Sequence, residues 1–115
     1  MSNLDPRGAD RIREVFARVR NGDDGVADLY AQYGVVLVDG ARHEGRDAIR
    51  AFYRKAIESS HPQPQVHVIL ETPGSKIYAA VVEVPTDQGH AHALDLFTLD
   101  DEGVSQLEIF NRKIE

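Results

Sequence analysis

Asp95 stands in the middle of an apolar segment, Ala91-His92-Ala93-Leu94-Asp95-Leu96-Phe97-Thr98-Leu99. Read as a strand, the segment alternates its side chains between two faces. Asp95 then shares a face with Ala93 and Phe97, while Leu94 and Leu96 point the other way. Both faces are apolar here, so the carboxyl group is at least partly buried. A carboxylate in that setting must be paired, hydrogen-bonded or held protonated. No Lys or Arg lies within ten residues on either side, which removes a local ion pair. A protonated acid lining an apolar cavity can donate a strong hydrogen bond to a ligand oxygen. The plainer alternative is an aspartate that caps a loop amide or pairs with a distant arginine. A second carboxylate, Asp39, opens an Asp39-Gly40 turn after the apolar run Val35–Val38.

The histidines give a different signal. His90 and His92 are two apart and share one strand face, and His67 sits on another strand. An i, i+2 pair can chelate a metal. If Asp95 faces the interior, however, both point away from it, toward an outer sheet face. We expect no metal site. His43 falls in the hairpin after Asp39 and His61 in a loop before Pro62.

The elements that must position these groups are legible from periodicity. Ile12, Val15, Phe16 and Val19 form a helical stripe after Asp5-Pro6, a cap followed by proline in the first turn. Asn21-Gly22-Asp23-Asp24-Gly25 stops that helix. Val26, Leu29, Tyr30 and Tyr33 suggest a second short helix ended by Gly34. Val35–Val38 reads as a strand, and Gly45-Arg46-Asp47 opens a third helix with Ile49, Phe52, Tyr53, Ala56 and Ile57 on its apolar face. Strands are expected near 66–70, 77–84, 90–99 and 104–110, separated by turn residues. Helices first and an antiparallel meander after them make an α+β pattern. Three helices on one curved antiparallel sheet form a cone that can leave a pocket between the layers.

At 115 residues the chain fits a single domain spanning 1–115. A formal net charge of −6 and the absence of a basic stripe argue against nucleic acid and anionic membrane as partners. With no cysteine, disulfides, thiolate metal sites and thiol nucleophiles are excluded. The first residues form no apolar signal region and no run approaches membrane-spanning length, so we expect a cytoplasmic protein. No phosphate-binding glycine motif and no Gly-x-Ser-x-Gly context occur. Nucleotide cofactors and serine hydrolase chemistry have no support, and we expect no cofactor.

The segment Leu29-Tyr30-Ala31, the strand after it, and Gly45-Arg46-Asp47-Ala48-Ile49-Arg50-Ala51-Phe52-Tyr53-Arg54 resemble the SnoaL-like and ketosteroid isomerase branch of the nuclear transport factor 2 (NTF2-like) superfamily. The hairpin Leu94-Asp95-Leu96-Phe97-Thr98-Leu99-Asp100-Asp101-Glu102-Gly103 fits the same branch. The resemblance covers nearly the whole chain. It implies a cone-shaped, cystatin-like fold enclosing a pocket. It also implies cofactor-free proton shuttling on a small hydrophobic carbonyl compound, as in a steroid isomerase. In that chemistry a carboxylate base moves a proton beside a ketone while a tyrosine and a protonated aspartic acid hold the enolate oxygen.

Carried over residue by residue, the resemblance makes Asp95 the protonated acid and Tyr30 and Tyr53 the supporting tyrosines. The base position falls on Val38, with Asp39 one residue later, and the helix-one tyrosine position falls on Glu14 or Val15. Asp39 serves as base only if a bulge or the turn redirects it. The arginine that epoxide-hydrolysing members need two residues before the strand aspartate is Ala93 here. The expected catalytic set is Asp39, Asp95, Tyr53 and Tyr30. Phe16, Val38, Phe52, Val82, Phe97 and Phe110 are the expected ligand-binding walls. Two alternatives stay open: a non-catalytic ligand-binding or dimerisation domain, and a SnoaL-type polyketide cyclase with a His–Asp pair. An apolar outer sheet face around Leu94 and Leu96 points to a homodimer.

Overall fold

The structure is a computed structural model that describes residues 6–114. Helix α1 (Pro6–Arg20) buries Ile12, Val15, Phe16 and Val19, the four residues of the expected stripe. The aspartate expected to cap it, Asp5, lies outside the described residues. Asp23 caps the next turn of the chain, its side chain accepting from the Gly25 amide at 2.8 Å.

The expected second helix is shorter than its hydrophobic pattern suggested. A 3₁₀ helix spans Asp24–Leu29, and strand β1 (Tyr30–Val38) takes Tyr30 and Tyr33. Tyr30 is fully buried while Tyr33 is 78% exposed, so the two are not on one helical face. The reason is a bulge. β1 pairs with the last strand at Tyr30 and resumes only at Val35. Gly34 lies at this irregularity, where a Cβ would come within 3.0 Å of the Val104 carbonyl oxygen. This glycine marks close backbone approach rather than a helix end.

Asp39 and Gly40, both with positive φ (51° and 79°), form the two-residue turn from β1 to β2 (Ala41–Glu44). Helix α2 (Arg46–Ser60) then crosses to the far side of the sheet. It is tied to the 3₁₀ helix through Arg50–Asp28 and Arg54–Asp24, each at 2.7 Å. These are surface pairs that orient more than they stabilise. Arg46 donates to the Tyr30 carbonyl at 2.9 Å, joining the start of α2 to the start of β1.

Four strands complete the chain: β3 (Gln65–Glu71), β4 (Ile77–Thr86), β5 (Gly89–Asp100) and β6 (Gly103–Ile114). They form the expected antiparallel meander. The sheet as a whole is mixed, in the order β2-β1-β6-β5-β4-β3, because β6 also runs parallel to β1. The α2 crossover is what permits this. It carries the chain to the far edge, and the meander works back until β6 meets β1. α1, α2 and the 3₁₀ helix contribute to a core that includes Ile12, Val26, Tyr30, Ile49, Tyr78, Phe97 and Leu107. No helix among the described residues is long and apolar enough to cross a membrane.

Candidate active site

β5 keeps one register with β4 along its whole length, from Thr86↔Gly89 to Ile77↔Thr98. Alternation is therefore unbroken. Ala93, Asp95, Phe97 and Leu99 are buried, while His90, His92 and Leu94 are exposed on the other face. Asp95 is the buried charged residue of the core, 6% exposed. Its Oδ1 has no hydrogen-bond partner among the described residues.

Asp95 lines a pocket of about 400 Å³ between the helices and the sheet, a size within the usual range for small-molecule sites. Phe16 from α1, Phe52 and Tyr53 from α2, Val84 from β4, and Leu107 and Ile109 from β6 provide its apolar walls. Asp39, Ser59, Thr86 and Asn111 add polar groups. No Lys, Arg or His is among the lining residues. Burial without a cationic neighbour pushes the Asp95 carboxyl up to about 7.

Behind the pocket wall the Tyr30 and Tyr53 hydroxyls share a hydrogen bond of 2.6 Å. Burial raises the pKa of both phenols, so each stays protonated. Asp95 is close enough for its charge to add to the rise in each case. Tyr53 lines the pocket; Tyr30 is one step behind it. The pair reaches this arrangement because Tyr30 begins β1 and Tyr53 lies on the inward face of α2.

Asp95, Tyr53, Phe16, Val38, Phe52 and Asp39 line one pocket. Asp39 lies on the exposed turn at its edge. Val82 and Phe97 are buried in the core rather than in the pocket wall. Phe110 is on the outer face, 49% exposed and in register with Leu94. Simple alternation from the buried Val104 would turn Phe110 inward. A bulge at Ser105, between the pairs Leu99↔Val104 and Thr98↔Gln106, shifts the phase by one residue. Leu107, Ile109 and Asn111 take the inner face instead. Counting back from Leu107 rather than forward from Val104 would have found them in the sequence. Pro62 and Pro64, two residues apart in the connection after α2, also line the pocket and left no sequence signal beyond breaking the helix.

No family model matches the chain, and no curated protein matches it. Solved structures do. An NTF2-like protein from Cytophaga hutchinsonii aligns with a TM-score of 0.78 at 12% identity, over 91% of this chain and 89% of that one. The chain has the NTF2-like fold. SalBIII, an epoxide hydrolase/cyclase-like enzyme of pyran ring formation in the polyether salinomycin, shares this fold. It aligns at a TM-score of 0.83 and 18% identity over 96% of this chain and 95% of its own. A putative ketosteroid isomerase from Kribbella flavida shares it too, at 0.83 and 16% over 96% and 81%. Such likeness establishes the NTF2-like architecture. Chemistry must be argued from the side chains in the pocket.

The position of the Asp95 pKa has a consequence for stability. The carboxyl binds its proton more tightly folded than unfolded, where it titrates at the ordinary value of 3.8. Its contribution is therefore most favourable below about pH 4 and is lost as pH rises toward 7. The full loss is about 4 kcal/mol. Asp95→Asn removes this term and leaves a buried amide costing about 1–3 kcal/mol. Urea unfolding at pH 4 and pH 8 is expected to show the variant gaining on the parent as pH rises. Parallel stability profiles would contradict the burial of an unpaired carboxyl.

Proposed function

We propose that the protein is a cofactor-free proton-shuttling enzyme of the ketosteroid isomerase type, acting on a small hydrophobic carbonyl compound held within the cone. The observation that carries this reading is the buried Asp95 carboxyl with its unpartnered Oδ1 at the wall of an apolar pocket. Below about pH 7 it is a neutral donor aimed at a ligand oxygen. The low-dielectric walls strengthen that hydrogen bond, and no water need reorganise as charge develops.

In the proposed step the Asp39 carboxylate takes a proton from the carbon beside the carbonyl. The electron pair moves onto the carbonyl oxygen, and the resulting enolate accepts a hydrogen bond from Asp95. Asp39 then returns the proton to another carbon of the conjugated system, so nothing is oxidised or reduced. Tyr53 and Tyr30 support the oxyanion side, their shared hydrogen bond orienting the Tyr53 hydroxyl. α1 offers Val15, Phe16 and Val19 to the pocket and no phenol. Removing one oxyanion donor costs roughly 3–4 kcal/mol of barrier in other enzymes, so slow turnover is expected.

A second reading, ligand binding without turnover, is favoured by the exposed position of Asp39. A cyclase using a His–Asp pair gains no support from a pocket whose lining holds no histidine. The assay that separates the first two follows a Δ5-3-ketosteroid to its conjugated enone by absorbance. Turnover is expected in the parent, with kcat/KM falling as pH rises through about 7. Asp39→Asn is expected to lower it by about 10²–10⁴-fold, and Asp95→Asn to remove the pH-dependent fall. Absence of turnover in the parent, with the steroid still bound, would favour the second reading.

We also infer that the outer sheet face joins two copies. Val68, Val81, Leu94 and Phe110 lie in one row across β3, β4, β5 and β6, and each is 38–49% exposed. An apolar row of this kind, on the face opposite the pocket, supports self-association. Light scattering is expected to give a dimer for the parent and a monomer for Leu94→Lys. A monomeric parent would contradict the assignment.

A further inference from the structure

Beside the apolar row, three imidazoles converge on one carboxylate. Glu83 on β4 is in register with His92 on β5 and with Gln65 on β3. Its Oε1 lies 3.0 Å from His92 Nε2 and 3.5 Å from His90 Nε2, and its Oε2 lies 3.6 Å from His67 Nε2. His90 and His92 share a face because they are two apart on an unbroken strand. His67 joins them through a bulge, since β3 pairs Val66 with Val82 and Val68 with Val81, leaving His67 as the extra residue. A bulge re-aims a side chain in just this way.

From this arrangement we infer a divalent transition-metal site on the outer face of the sheet, formed by Glu83, His90 and His92 with His67 within reach as the fourth ligand, and best suited to Zn²⁺. Three imidazole nitrogens and a carboxylate oxygen are a donor set that zinc takes in tetrahedral geometry. With metal–ligand bonds of 2.0–2.2 Å, the edges of such a tetrahedron are about 3.3 Å. The two separations to Glu83 Oε1, 3.0 Å from His92 and 3.5 Å from His90, bracket that value, and His67 lies 3.6 Å from the other oxygen, Oε2. The ligand atoms of Glu83, His90 and His92 all fall within 4.8 Å of one another, so small rotamer adjustments bring them onto one ion. The side chains come from three hydrogen-bonded strands, a rigid platform that requires little ordering when the ion binds. Glu83 is the least exposed of the four, at 28%, and the histidines are 44–55% exposed, so an ion can enter from solvent. Arg112, in register with His92 on β6, is a cationic neighbour, and Arg13 and Arg20 border a pocket together with His67. Bound there, the ion would cross-link β3, β4 and β5 on the face opposite the pocket, independently of the reaction proposed for Asp95.

The test is calorimetric titration of untagged, chelator-stripped protein with ZnCl₂ at pH 7.5, paired with the visible spectrum of the Co²⁺-substituted protein. One ion per chain with an affinity in the micromolar range or tighter is expected, with a Co²⁺ spectrum of low coordination number. Glu83→Gln and His92→Gln should each weaken binding by about tenfold or more. His43→Asn and His61→Asn, remote from the cluster, should leave it unchanged. All four side chains are at the surface, and circular dichroism is to check that each variant is folded. No binding by the parent, or an affinity unaltered in both Glu83→Gln and His92→Gln, would overturn the site.

Discussion

The proposed chemistry depends on the desolvation of one carboxyl group. Asp95 is held between apolar layers with no cationic neighbour in the pocket and one oxygen unpartnered. In such surroundings an ionised carboxylate is strongly disfavoured, and the group answers by keeping its proton to about pH 7. A fold gains nothing in stability from this. On the proposed reading the arrangement is a preorganised donor for a ligand oxygen.

The sheet supplies that preorganisation. β5 is bonded on both sides along most of its length, to β4 and β6, so the Asp95 backbone has little freedom. The helices close over the same face with Phe16, Phe52 and Tyr53. The Tyr30–Tyr53 hydrogen bond spans from β1 to α2 and fixes the one phenol that borders the pocket. The opposite face of the same strands carries the apolar row and the histidine–glutamate cluster. Alternation along β5 thus separates two settings with a single strand: a buried carboxyl inside and the histidine–glutamate cluster outside.

Much of this was readable in the sequence because periodicity survives folding where the backbone is regular. The α1 stripe, the Asp39-Gly40 turn, the α2 face and the inward phase of Asp95 all rest on unbroken 3.6- or 2-residue repeats. The misreadings sit at bulges. Tyr30 and Tyr33 look helical because Gly34 and the β1 bulge disrupt strand alternation. Phe110 looks inward because Ser105 adds one residue to β6, and the proximity of His67 to Glu83 depends on an extra residue in β3. A bulge changes the face of every later side chain yet leaves almost no compositional trace. The parallel pairing of β1 with β6 was hidden for a related reason: it depends on where α2 delivers the chain, which no local pattern records.

The central claim is that burial lets Asp95 keep its proton in the folded protein up to about pH 7. Its carboxyl carbon can be followed directly by NMR in ¹³C-aspartate-labelled protein, with Asp95→Asn identifying the resonance. The account predicts a midpoint near pH 7 for Asp95. A midpoint near the ordinary aspartate value of about 4 would mean an ionised, solvated or partnered group, and would contradict the proposed role of Asp95 as a hydrogen-bond donor.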